Sequence, residues 1–337
     1  MYKLPLLFIF LVTACSVGEV RPEKVLKLGH GLDVSHPVHK AMVFMGQEIA
    51  EKSQGRIRLD IYPSQQLGTE RETLELLQIG SLDLTKVSSS VVEGFAPLYK
   101  VFSVPFLFQD DSSRFQILDG KIGTSILESA TSIRLKGLTY YDAGTRSFYT
   151  KEFPILEPKD LDGLKIRVQE SPAAIDLVNN LGGSATPISW GELYTSLQQG
   201  VVDGAENNPP SFYLSKHYEV AKYYSLNEHT AVPDILFMSL YTWNRLTTEE
   251  QKIVQDAAEA SAIYQRALWA ESTQEALENV QKEGVTVIRP DKKPFIEKLA
   301  PMYEQYYEES VEMEQIIRSI IDIQQVEVDT MEVNSSQ

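Results

Sequence analysis

Two segments of this chain, Leu77-Gln78-Ile79-Gly80-Ser81-Leu82-Asp83 and Leu197-Gln198-Gln199-Gly200-Val201-Val202-Asp203, share the pattern L-Q-x-G-x-x-D. Each reads as a helix end, a glycine cap and an entering strand, because glycine tolerates the left-handed conformation that closes a helix. Each also lies downstream of a strand, a proline and a short helix. Four identities in seven residues carry weight only together with the alternation around them. That alternation is of strands with helices, which indicates an α/β fold. Two similar α/β units imply two lobes facing one another. A cleft between lobes is a preferred ligand site, and hinge closure is the usual motion around it.

The first unit is the clearer. A strand is predicted at Val25–Leu28, followed by Gly29-His30-Gly31. A helix from Val38 to Lys52 carries Val38, Met42, Met45 and Ile49 on one stripe, and Gly55 ends it. Arg56–Tyr62 alternates Ile57, Leu59 and Ile61 against Arg56, Arg58 and Asp60, as a half-buried strand does. A helix over Glu70–Ile79 and a buried strand over Leu82–Val87 complete the unit. Later, Ser189-Trp190-Gly191-Glu192 fits a capping box that would open a helix running to Gln199. From Thr247 to Glu283 there are few breakers, and Ile253, Ala257, Ala260 and Tyr264 mark the apolar stripe of one long helix. Unbroken, it would exceed about 50 Å. A last helix is predicted over Lys293–Gln324, with a break at Pro301.

Composition excludes some functions. A formal net charge of -16 argues against a nucleic-acid partner, which needs a basic surface. A pocket on an acidic protein can still be locally positive. There is no G-x-S-x-G elbow, no phosphate-binding loop and no H-E-x-x-H. His36 and His39 are three apart but have no evident third ligand, so no metal is expected. No cofactor is expected and the chain is not read as an enzyme.

The chemistry that is present favours binding. In Leu164-Lys165-Ile166-Arg167-Val168, Ile166 and Val168 share one face of a short strand, and Lys165 and Arg167 share the other. An arginine so placed can meet a carboxylate through a bidentate fork. Downstream the chain reaches a polar cluster, Glu206-Asn207-Asn208.

The stretch Asp160-Leu161-Asp162-Gly163-Leu164-Lys165-Ile166-Arg167-Val168, with EKSQGRIRLDIYPSQQLGTERETLELLQIGSLDL before it and GVVDGAENNP after it, resembles the solute-binding proteins of tripartite ATP-independent periplasmic (TRAP) transporters, the DctP-like family. The resemblance spans roughly residues 25–308. It implies a two-lobe periplasmic binding protein, type II-like, with a hinge and a long helix spanning both lobes. It implies that Arg167 binds a ligand carboxylate and that Arg146 is a second arginine near it. Asn207 matches a ligand-contacting asparagine, Trp190 an aromatic that stacks on the ligand, and His30 and Glu70 positions that face the cleft. Ser88 and His229 are weaker candidates. Sialic-acid binders of the family carry glutamate at the position matching Ser88, which puts that ligand in doubt. Ala205-Glu206-Asn207-Asn208 with Pro210-Ser211, and Tyr223-Tyr224-Ser225 leading to Glu228-His229, look closer to the hexuronate binders. A C4-dicarboxylate or 2-oxo acid is the alternative ligand, for which Arg71 would supply a second cation. A lipid-anchored sugar-acid hydrolase or lyase, and a sensor presenting ligand to a membrane receptor, are the other readings. The partners implied are a small organic acid and the small and large integral membrane subunits of the transporter.

The sole cysteine, Cys15, follows the apolar run Leu4–Val12 behind Lys3. This is an export signal too short to span a membrane. Leu11-Val12-Thr13-Ala14-Cys15 also resembles a bacterial lipobox, in which Cys15 is lipidated; the alternative is cleavage after Ala14 with a free thiol. Either way the protein is extracytoplasmic. The expected division is a signal and lipidated cysteine over 1–15, a linker over 16–24, one lobe over 25–144 plus 233–272, a second over 145–232 plus 273–328, and a disordered tail over 329–337.

Overall fold

The computed structural model describes residues 21–335. The export signal and Cys15 therefore lie outside the described residues. The chain begins with β1 (Lys24–Gly29), α1 (Pro37–Lys52), β2 (Ile57–Tyr62), α2 (Glu70–Gln78), β3 (Leu84–Ser88), α3 (Ser89–Val92), α4 (Asp111–Asp119), α5 (Lys121–Ser129) and β4 (Leu135–Tyr141). It crosses to a second body with β5 (Arg146–Thr150), β6 (Lys165–Val168), α6 (Pro172–Leu181), β7 (Ser184–Pro187), α7 (Leu193–Gln198), β8 (Gly204–Asn207), α8 (Pro209–Leu214) and β9 (Tyr223–Thr230). It then returns through β10 (Asp234–Ser239), α9 (Leu240–Trp243) and α10 (Thr248–Lys282). The end is β11 (Thr286–Ile288), α11 (Lys293–Leu299), α12 (Pro301–Glu309) and α13 (Val311–Ser335).

The two sheets have one topology. The first runs β2-β1-β3-β10-β4 and the second β7-β6-β8-β5-β9-β11. In each, three parallel strands are followed by one antiparallel strand that has just crossed from the other lobe: β10 beside β3, and β5 beside β8. The L-Q-x-G-x-x-D repeat is the local mark of this duplication. Gly80 and Gly200 take φ of 74° and 73°, where other residues are strained. Ser81 N and Val201 N donate to Leu76 O and Ser196 O, both at 2.9 Å, closing the helices alike. The aspartates then anchor the neighbouring strand: Asp83 Oδ2 accepts from Lys27 N at 2.9 Å, and Asp203 Oδ2 accepts from Lys165 N at 2.8 Å.

Helix α1 buries Val38, Met42, Met45 and Ile49 completely, against β1, β2 and α10. Each such side chain is worth about 1.5–3 kcal/mol in burial. Helix α10 is unbroken over 35 residues and opens with a capping box between Thr247 and Glu250. Its buried stripe differs from the predicted one. Ile253 and Ala257 face inward, but the stripe continues through Ala258, Ser261, Ala262, Gln265 and Trp269, while Tyr264 is 40% exposed and packs on Phe44 at 4.7 Å. The small buried residues Ala257, Ala258, Ser261 and Ala262 let the helix approach β4 closely, and the larger Tyr264 is turned outward. The capping box predicted at Ser189 is also different. Ser189 Oγ bonds the Glu192 carboxylate at 2.7 Å, no side-chain cap forms, and Trp190–Glu192 make a single 3-10 turn before α7.

The last helices break at Pro301 and again at Ser310. Helix α13 docks on the first body: Gln324 Nε2 donates to Leu107 O, and its Oε1 accepts from Gln109 N, at 2.9 and 2.8 Å. Its position thus differs from the expected grouping of 273–328 with the second lobe. The tail expected from 329 is a continuation of α13 as far as Ser335.

Candidate functional site

The carboxyl ends of β1 and β3 in one lobe and of β6 and β8 in the other converge on one cleft of ≈ 720 Å³, solvent mouth included. Strand ends at such a crevice are the usual ligand site of open α/β sheets. The lobes meet across it. Ser88 Oγ lies 3.4 Å from Gln169 Oε1, His36 Nε2 lies 3.4 Å from Ser211 Oγ, and Gln65 packs on Gly191, where a Cβ would collide with it.

Arg167 stands on the cleft side of β6 and is 2% exposed. Its Nε donates to Ile188 O at 2.9 Å, and its guanidinium carbon lies 5.9 Å from the Trp190 ring centroid. Its Nη1 is buried and has no hydrogen-bond partner among the described residues. Burial pulls its pKa down; Tyr149 and Glu206 act in the opposite direction, and Arg146 adds to the lowering. A buried guanidinium donor without an acceptor costs stability unless something supplies the acceptor. Gln65 Nε2, also on the cleft wall, is the second such donor.

Arg146 is placed differently. Its Nε and Nη2 grip the Glu206 carboxylate (Nη2–Oε1 2.7 Å), Nη2 also reaches Glu206 O at 2.9 Å, and Nη1 donates to Asn207 Oδ1 at 3.0 Å. Burial would push the Glu206 carboxyl up, but Arg146 and His229 bring it down to about 2. Arg146 lines the cleft as an already neutralised cation that positions Asn207. Asn207 Oδ1 is held by Arg146 and by Asn208 N at 2.9 Å, which turns the amide so that its nitrogen remains as a donor.

Of the predicted residues, the cleft brings together Arg167, Arg146, Asn207, Trp190, Glu70 and Ser88. His30 and His229 do not line it. His30 is recessed beneath the wall: Leu32 N donates to its Nδ1 at 3.1 Å, so its Nε2 carries the proton toward His39 Nδ1 at 3.0 Å. Burial, with Lys86 and His39 nearby, lowers its pKa to about 2, so it is a neutral imidazole. His229 is buried against Phe148, with ring centroids 4.5 Å apart, and faces Glu206 and Asn227.

Among the cleft residues missed from the sequence are Lys86, Asp234, Trp269 and the glutamines Gln65 and Gln169. Lys86 sits on β3 with its ammonium 3.1 Å from both Glu70 Oε1 and Asp234 Oδ2. Burial opposes its charge, yet Asp234 and Glu70 outweigh burial and raise its pKa. Its signal was in plain view: Leu84-Thr85-Lys86-Val87-Ser88 places a cation in an apolar strand, as Leu164–Val168 does. Trp269 comes from the middle of α10 and fits against Gly144, whose φ of 58° and near contact with the indole nitrogen leave little room for a side chain.

The chain matches the model of the bacterial extracellular solute-binding proteins, family 7 (DctP), over residues 28–310. The uncharacterized protein YiiZ of Salmonella typhimurium is 41% identical over 284 residues, 84% of this chain and 86% of that protein. Among solved structures, a TRAP periplasmic solute-binding protein from Xanthobacter autotrophicus Py2 with bound β-D-galacturonate is 38% identical, with a TM-score of 0.85 over 88% of this chain and 98% of that one. Another, from Anaerococcus prevotii with bound α/β D-glucuronate, is 33% identical, with a TM-score of 0.88 over 90% of this chain and 98% of that one.

Proposed function

This chain belongs to the bacterial extracellular solute-binding proteins of family 7, and on that premise we propose that it is the receptor of a TRAP transporter for a hexuronate of the glucuronate or galacturonate type. The family is one of transport receptors rather than of enzymes. The observation that carries the ligand class is Arg167 Nη1, a buried cationic donor with no acceptor among the described residues, on a side chain that lines the cleft between the lobes. A ligand carboxylate would supply that acceptor, and Gln65, Asn207, Ser88 and Glu70 offer donors and acceptors suited to ring hydroxyls. Trp190, beside Arg167, offers an apolar face to the sugar ring.

The mechanism is a population shift. The acid contacts both lobes only when they are closed, so it binds that state better and favours it. The closed receptor would then present one surface to the small and large membrane subunits of the transporter. No helix among the described residues is long and apolar enough to cross a membrane, and attachment would rest on lipidation of Cys15. Arg71, the cation of the dicarboxylate reading, lines the cleft but is already engaged on its own lobe. That side chain pairs with Glu75 at 3.2 Å on its own helix and stacks on Phe95 at 5.2 Å.

A thermal-shift comparison tests this. At about 100 times its Kd a ligand stabilises the folded state by about 2.7 kcal/mol. Galacturonate or glucuronate is expected to raise the melting temperature where succinate and malate do not. A shift with the dicarboxylates alone would keep the receptor and remove the uronate.

A further inference from the structure

The duplicated topology allows the two cleft walls to be compared position by position. Lys27 and Lys165 are equivalent, since each donates its N–H to the repeat aspartate, Asp83 or Asp203. Counting on from those aspartates, Lys86 of β3 corresponds to Glu206 of β8. The antiparallel strands correspond too: Asp234 of β10 lies opposite Ser88, as Arg146 of β5 lies one residue beyond the Ser147–Asn207 pair. Both lobes therefore hold a buried ion pair at the same place, Lys86–Asp234 and Glu206–Arg146, with the signs exchanged between strands.

The pairs are balanced differently. In the second lobe Arg167 is added, so two cations face one carboxylate. In the first lobe Glu70 is added, so one cation is shared by two carboxylates. Lys86 is 3% exposed at its side chain and is enclosed by the two acids. Two of its three N–H donors are taken by these acids, whose charges offset its own. Glu70 Oε2 and Asp234 Oδ1 accept no hydrogen bond among the described residues, and both side chains line the cleft. The other charged groups at the cleft are Arg71, paired with Glu75, and Glu170.

We propose that Glu70, Lys86 and Asp234 form a charge filter that limits the ligand to a single carboxylate, held at Arg167, with a neutral hydroxylated end against the first lobe. Two carboxylate acceptors welcome hydroxyl donors and repel a second anion. Lys86 fixes both acids in place, and its single positive charge is outweighed by their two negative ones. The inference rests on the hexuronate reading and deepens it. It says that oxidation of the far carbon of the sugar acid to a second carboxylate weakens recognition at least tenfold. Specificity of this kind works through the rejected ligand as much as through the accepted one.

The test uses the full chain and three probes titrated calorimetrically: galacturonate, galactonate and galactarate. The last two are both open-chain acids of six carbons that differ in one terminal group, hydroxymethyl against carboxylate. Galactonate is expected to bind at least tenfold more tightly than galactarate. Asp234→Asn and Glu70→Gln are each expected to narrow that gap at least threefold, through a gain for galactarate. The unfolding temperature of each ligand-free variant is measured alongside, and the unaltered chain decides the matter if a variant is unfolded. Galactarate binding within threefold of galactonate would overturn the filter while leaving a uronate receptor intact. Galacturonate binding with both open-chain acids silent would overturn it too, because ring closure would then be the discriminator. Silence with all three, and with glucuronate, gluconate and glucarate in their place, would remove the uronate reading itself, and the filter with it.

Discussion

Replacing Arg167 by methionine is expected to weaken uronate binding at least 30-fold while leaving the ligand-free protein as stable as the parent, or more so. Truncating one partner of a buried charge pair costs about 2–5 kcal/mol, roughly 30- to 4,000-fold in affinity. That cost appears only with ligand present. In the free protein Arg167 has one hydrogen bond, from Nε to Ile188 O, and one buried donor with no partner. Methionine keeps the stem that packs beside Trp190 and removes a buried charge disfavoured by its surroundings. Calorimetric titration with galacturonate and a thermal melt without it check both halves. Unchanged affinity would move the carboxylate away from Arg167. Arg146→Met makes the contrast: it strands the buried Glu206 carboxylate, so the ligand-free protein itself is expected to melt earlier.

Glu93→Gln is expected to stabilise the closed protein above pH 7 and to flatten its pH dependence between about 4.5 and 7. Glu93 follows α3 in the first lobe, yet its carboxylate accepts from Ser171 Oγ at 2.7 Å and Ala173 N at 3.2 Å, at the start of α6 in the second. Ser103 Oγ donates to its other oxygen. Burial drives its pKa up to about 7 against the opposing pull of these donors and of Lys100. A carboxyl with a raised folded pKa holds its proton more tightly folded than unfolded. Its stabilisation is therefore complete below about 4.5 and is lost as pH climbs through 7. Glutamine keeps an acceptor for Ser171 and Ala173 and a donor toward Ser103 without the charge. The gain at pH 8 should be roughly 1–3 kcal/mol, an upper range set by the size of the shift. Chemical denaturation of parent and variant at pH 5 and pH 8 measures it. A parent whose stability rises from pH 5 to pH 8 by the same amount as the variant's would remove Glu93 as the cause.

Arg167 was legible because the segment around it resembles the family's carboxylate-binding segment; the strand pattern alone put it on one face with Lys165, where an exposed arginine would fit as well. Lys86 has a similar strand pattern in Leu84–Ser88, but its partner Asp234 lies on a strand that enters from the other lobe, beyond the reach of local pattern. Arg146 was legible as a cleft residue, whereas its neutralisation by Glu206 depends on the pairing of β5 with β8. His30 follows the first strand, as a cleft residue would, and only the packing of α1 draws it down onto His39.

Local chemistry alone determined the alternation of strand and helix, the duplicated helix–glycine–strand unit, the long α10 and the cation on β6. Each depends on neighbours within about ten residues, where periodicity and backbone preference act. The tertiary structure decided which charges are free. Strands that cross between the lobes bring Asp234 to Lys86 and Arg146 to Glu206, leaving Arg167 with a buried donor unmet. In a low-dielectric cleft the sign of a site is set by which ions have already found partners, and that pairing is a property of the fold.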